Sequence, residues 1–120
     1  CKLLKQEYIR TNVTLIFSPA QAILASLAGA TYISPFIGRM DDNSLDGIKL
    51  INDITNTLHT NTQVLAASIR DPQTVSAAFA VGAHICTVPP VVFDKMYNHI
   101  LTDAGIKQFN LDHAETSNKI

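Results

Sequence analysis

Strand-like and helix-like runs alternate along this chain, and that alternation limits its fold more than any other feature. Four short β-branched runs, Asn12–Phe17, Thr31–Phe36, Gln63–Ile69 and His84–Val88, each precede a helical stretch. Helices are predicted over Pro19–Ala28, Leu45–Leu58, Pro72–Val81 and Val91–Leu101, with more helix over Asp103–Leu111. Ser18-Pro19 and Asp71-Pro72 pair an N-cap with a proline at the first helical position, and Gln21 stands where a capping box wants it. Gly29 and Gly82 fall where a helix ends and the next strand begins. Such an order implies parallel strand pairing with right-handed crossovers. The stretch between Phe36 and Leu45 reads as a loop, and the polar tail Glu115–Ile120 as a frayed end.

Four β/α units are half of a (β/α)8 barrel, which typically takes about 250 residues. The chain has 120. It opens on Cys1 rather than on a methionine, and Lys2, Leu3, Leu4, Lys5 and Glu7 read like the middle of an amphipathic helix. The expectation is an α/β chain forming half of a TIM barrel, a portion of a longer protein. The alternative, a compact four-strand domain, would expose two hydrophobic parallel edge strands.

The polar residues support the barrel. Alternation puts Asn12 and Thr14 on one face of the first strand, with Val13, Leu15 and Phe17 on the other. A strand buried on both faces is normally unbroken hydrophobe. Two polar groups on an inner face point to a polar ligand. Ser34 and Phe36 share a face of the second strand, as do Ala66, Ser68 and Arg70 in the third. Two of the three arginines, Arg39 and Arg70, fall just after strands, where barrel active sites lie. Arginine there suits bidentate phosphate binding, with Ser68 completing the cradle. An ion pair with Asp41, Asp42 or Asp71 is the plainer alternative. Neither GxGxxG nor GxxxxGK[ST] occurs.

Composition removes other classes. The formal net charge is -1, and no basic stripe suggests a nucleic-acid partner. No apolar run reaches the length of a membrane span. Cys1 and Cys86 form no redox or metal spacing, and His59, His84, His99 and His113 are scattered, so no metal site is expected and a reducing cytoplasm fits.

Three blocks then carry a resemblance: Asn12-Val13-Thr14-Leu15-Ile16-Phe17-Ser18 with Gln21-Ala22, Ile33-Ser34-Pro35-Phe36-Ile37-Gly38-Arg39, and Ala66-Ala67-Ser68-Ile69-Arg70. In this order and spacing they resemble the signature blocks of transaldolases, nearest to the small single-barrel transaldolases and fructose-6-phosphate aldolases. The resemblance runs from the first residues to about Asp112. It implies the C-terminal half of the barrel, strands 5 to 8, within residues 1–120. It also implies a lysine Schiff base that carries a dihydroxyacetone unit between sugar phosphates of the pentose phosphate pathway, with no metal or organic cofactor. Asn12, Thr14 and Phe36 match supporting positions at the catalytic centre. Ser34 matches a serine that contacts substrate hydroxyls, and Arg39, Ser68 and Arg70 match the phosphate-binding group.

The family's lysine is expected upstream of Cys1. Lys2, Lys5, Lys49, Lys95, Lys107 and Lys119 all fall in predicted helices, helix ends or the tail. Phe36 favours a transaldolase, since many fructose-6-phosphate aldolases carry tyrosine there. The aldolase stays open as an alternative. So does a catalytically inactive half-barrel serving as a structural or phosphate-binding piece. The resemblance further implies the missing N-terminal half as a partner and a homo-oligomer, a pentamer-based ring. Ile106, Phe109 and Leu111 would pack on a neighbour or close the bottom of their own barrel.

Overall fold

In a computed structural model, which describes residues 1–118, four strands form one parallel sheet in the order β1-β2-β3-β4. The strands are β1 (Asn12–Ile16), β2 (Tyr32–Pro35), β3 (Gln63–Ala66) and β4 (Ile85–Cys86). Helices α1 (Lys2–Gln6), α2 (Pro19–Leu27), α3 (Ile37–Asp42), α4 (Gly47–Thr57), α5 (Pro72–Ala80), α6 (Pro90–Met96) and α7 (Ile100–Asn118) surround or follow them. Sequential strand order with a helix in each crossover is the construction of half a (β/α)8 barrel.

Local chemistry sets the boundaries. Ser18 accepts the Gln21 N–H at 3.2 Å, while the Gln21 side chain accepts the Phe17 N–H at 2.8 Å. Asp46 and Asp71 cap α4 and α5 through the N–H groups of Lys49 and Thr74. Gly29 and Gly82 take φ of 93° and 104° just past α2 and α5, a conformation other residues adopt at a cost.

The core lies between the sheet and its helices. Ile33, Ile37, Ile51, Ile54, Val64 and Ile69 are fully buried there. Each such side chain contributes on the order of 1.5–3 kcal/mol.

Four expectations change. The segment after β2 is not all loop: Ile37–Asp42 is helix α3, begun by an Ile37 N–H bonded to the Ala67 carbonyl. β1 does not alternate cleanly. Val13 lies beside Ile33 and Ile16 beside Pro35, so one extra residue bulges between them, with Leu15 at φ 57°. The bulge reverses the alternation, and Phe17 leaves Val13's face to meet Phe36 edge-on at 6.3 Å.

β3 is turned the other way from the expected pattern. Val64 lies beside Ile33 on the core side, so Ala66 faces the helices and Leu65 the opposite side. Finally, the last helical stretch is split and longer. α6 stops at Met96, and His99 Nδ1 accepts the Leu101 N–H to start α7. Glu115–Asn118 is helical rather than frayed, with Thr116 bonded to the Asp112 carbonyl. Lys119 and Ile120 of the expected tail lie outside the described residues.

Candidate active site at the strand ends

The candidate residues fall in three groups, one on the face of the sheet away from α2, α4 and α5 and two beyond the ends of β2 and β3. The first is a bonded pair. Ser34, 2% exposed, donates its hydroxyl to Asn12 Oδ1 at 2.7 Å. That bond assigns the Asn12 amide, so its nitrogen is the end left to donate elsewhere. Parallel pairing of Asn12 beside Tyr32, two residues before Ser34, places both side chains on one face.

The second group is aromatic and cationic. Phe36 directly follows β2 and bridges to Ala67. Its ring meets Phe17, and the Arg39 guanidinium carbon lies 5.2 Å from its centroid. That distance is in the range of a cation–π contact. α3 makes the contact possible, because it lifts Arg39 back over the residue that precedes the helix.

The third group is a small cavity lined by Gly38, Asp41, Ser68, Arg70, Asp71 and Thr74. Ser68 follows β3 with φ 61° and turns the chain so that Arg70 reaches this cavity. Gly38 is needed for the approach. A Cβ there would collide with the Ser68 carbonyl oxygen, and would lie 2.6 Å from Ser68 Oγ and 3.0 Å from Arg70 Nε. The Arg70 terminal nitrogens both bond the Asp42 carboxylate, one of them at 2.6 Å. The Arg70 hydrogen bond pulls Asp42 below the usual carboxylate range, and Asp42 raises Arg70 in turn. Asp71 is lowered by the Thr74 N–H and hydroxyl.

The structure thus brings Ser68 and Arg70 together, places Arg39 on Phe36 outside that cavity lining, and joins Asn12 to Ser34. Thr14 stands apart from these contacts. It lines a shallow groove at the open edge of β1 with Val13, Leu15, Gln21 and Leu24. For Arg70 the plainer alternative, an ion pair, is realised with Asp42. Sequence reading passed over Gly38, although it lies inside a quoted block. A glycine directly before an arginine at a strand end was the available signal. Among the described residues no cluster of His, Cys, Asp and Glu could hold a metal ion, and no helix is long and apolar enough to cross a membrane.

The family model described as Transaldolase/Fructose-6-phosphate aldolase matches residues 1–120. The chain belongs to this family. It is 51% identical over 123 residues to a probable transaldolase of Paracoccus denitrificans, covering all of this chain and 57% of that protein. A probable transaldolase of Caulobacter vibrioides is 52% identical over 124 residues, again with 57% of its length covered. One from Clostridium kluyveri is 51% identical, with 98% of this chain and 56% of the relative covered. This transaldolase/aldolase family chain therefore spans little more than half the length of these relatives.

Solved structures share the fold at lower identity. A mandelate oxidase structure with 2-hydroxy-phenylacetamide matches at TM-score 0.61 and 22% identity, over 79% of this chain and 30% of that one. FabK from Thermotoga maritima matches at TM-score 0.55 and 22% identity, over 70% and 27%. These likenesses concern the arrangement of strands and helices alone.

Proposed function

We propose that the protein carrying this chain is a transaldolase of the cytoplasm, moving a dihydroxyacetone unit between sugar phosphates through a lysine Schiff base. The observation that carries this reading is the Asn12–Ser34 pair on the face that a closed barrel would turn inward. It leaves an oriented amide N–H2 to hold a substrate hydroxyl beside the reacting carbons.

In this reading a lysine from a part of the barrel outside these residues adds its amine to the ketose C2 carbonyl. Loss of water gives an iminium. The C3–C4 bond then breaks, its electrons pass to the iminium, and the C4 hydroxyl gives its proton to a base outside these residues as the aldehyde departs. The enamine left behind attacks an acceptor aldehyde, the new alkoxide takes that proton back, and water frees the new ketose. Asn12 and Ser34 hold the three-carbon unit, and Thr14 serves the catalytic water. Ser68, Arg70 and Arg39 receive the phosphate at the strand ends. Exposed Leu101, Ile106, Phe109 and Leu111 on α7 fit packing against another copy in a pentamer-based ring.

Fructose-6-phosphate aldolase is the second reading, and Phe36 weighs against it. A phenol at this place could order water and complete release of free dihydroxyacetone, whereas a phenyl ring cannot donate that proton. Phe36→Tyr in the complete enzyme tests this. Dihydroxyacetone release from fructose 6-phosphate without acceptor should rise, by as much as roughly 10²-fold for a well-placed group. Unchanged release would make Phe36 a packing residue and remove the reason for preferring transfer.

A further inference from the structure

Arg70 is not free in this structure; it is gripped. Asp42 Oδ1 and Oδ2 each accept from one terminal nitrogen of its guanidinium, in an end-on, two-point pair. An arginine offers five N–H donors, and an end-on pair uses only two. Nε–H and the second hydrogens of both terminal nitrogens remain. Arg70 Nε lies at the Gly38–Ser68 side of the cavity, close enough that a Cβ on Gly38 would come within 3.0 Å of it. Asp42 itself does not line that cavity. It pulls on the guanidinium from outside.

The carboxylate sits on a fixed support. α3 starts at Ile37, which is fully buried and bonded to the Ala67 carbonyl. Its far end is tied by Asn43 Nδ2 donating to the Arg39 carbonyl at 2.8 Å, and by Asp41 Oδ1 accepting the Gly47 N–H at 3.1 Å. The two carboxylates that do line the cavity are held by backbone N–H groups, Asp41 by Gly47 and Asp71 by Thr74. Arg70 is half exposed on a turn. Untethered, it would have to give up rotamer freedom to bind an anion.

We propose that Asp42 is a positioning residue for the phosphate group of the substrate: by holding Arg70 end-on, it keeps the Nε edge of the guanidinium turned to the Gly38–Ser68 cavity. The inference rests on reading that cavity as the phosphate site. Its sign is specific. A competing carboxylate would weaken anion binding, whereas a positioning one strengthens it even though the Arg70–Asp42 pair is formally neutral.

The test uses the complete enzyme with glyceraldehyde 3-phosphate and glyceraldehyde as acceptors, and inorganic phosphate as a competitive inhibitor. Asp42→Ala should raise KM for the phosphorylated acceptor and Ki for phosphate by about fivefold each, because the untethered Arg70 then gives up rotamer freedom on binding. Neither kcat nor the glyceraldehyde KM should move, and Asp42→Glu should recover part of the loss. A lower KM or Ki in Asp42→Ala would make Asp42 a competitor and overturn the proposal. So would an equal loss with both acceptors, which would mark a purely structural pair. An unsubstituted enzyme that neither prefers the phosphorylated acceptor nor responds to phosphate would instead overturn the cavity reading, and this inference with it.

Discussion

Ser68 combines a proposed phosphate contact with backbone strain. Its φ of 61° is left-handed, which for a residue with a Cβ costs roughly 1–2 kcal/mol. That conformation swings the chain after β3 and carries Arg70 to the cavity. Replacing Ser68 by glycine removes the Cβ strain but adds unfolded-chain entropy of about 0.4–1 kcal/mol. The balance should leave Ser68→Gly more stable than Ser68→Ala by about 1 kcal/mol, read from thermal or urea unfolding of the complete enzyme. Both variants lack the hydroxyl, so both should weaken phosphorylated substrates to a similar degree. Equal stability of the two would mean that the left-handed turn stores no strain. Gly38 is the counterpart of Ser68, its missing side chain leaving the room that Ser68 Oγ and Arg70 Nε occupy.

At the level of elements, α5 shows how a helix start serves the site. Asp71 is its N-cap, accepting the Thr74 N–H at 2.7 Å and the Thr74 hydroxyl at 2.8 Å. The same turn borders the Ser68–Arg70 cavity. Asp71→Ala should destabilise the protein by about 1 kcal/mol. The Thr74 N–H lowers the Asp71 carboxyl below its ordinary value. A lowered folded-state value means the charged form is favoured by folding. Its contribution is therefore complete above the unfolded value, about 3.9, and is lost as pH falls through the folded one. The stability gap between the parent and Asp71→Ala should be constant near neutrality and shrink below about pH 4. A gap that stayed level to low pH would mean that the carboxylate charge contributes nothing at this cap.

On the scale of the molecule, the described residues extend 70 × 36 × 24 Å, with a radius of gyration of 20.2 Å. A compact chain of this length would have about 14 Å. The excess comes largely from α7, none of whose residues is buried; Leu101 and Phe109 are each 73% exposed. β1 leaves its outer edge and Leu15 open as well. In the proposed reading, a second half-barrel and neighbouring copies would cover these apolar surfaces. Among the described residues, no strand of the sheet contains a lysine. Treatment with fructose 6-phosphate and borohydride should therefore add no mass to the 120-residue chain, while the complete enzyme gains the trapped three-carbon unit. A covalent adduct on the short chain would show that one of its helical or terminal lysines is the nucleophile.

The alternation of elements, the caps at Ser18 and Asp71 and the glycine stops at Gly29 and Gly82 were legible in the residues, because each follows from local backbone chemistry. So was the position of Arg39, Ser68 and Arg70 just beyond β2 and β3. The facing of side chains was not. The bulge at Leu15 belongs to the register in which β1 pairs with β2, and the left-handed turn at Ser68 follows the end of β3; each overrides the simple alternation. Helix α3 escaped for a similar reason: its six residues are held by Ile37 packing into the core and bonding Ala67, contacts distant in sequence. The choice among three possible carboxylate partners for Arg70 was equally non-local. Asp41 is taken by Gly47 and Asp71 by Thr74, which leaves Asp42, and only the packing of α3 against the β3 turn brings it within reach.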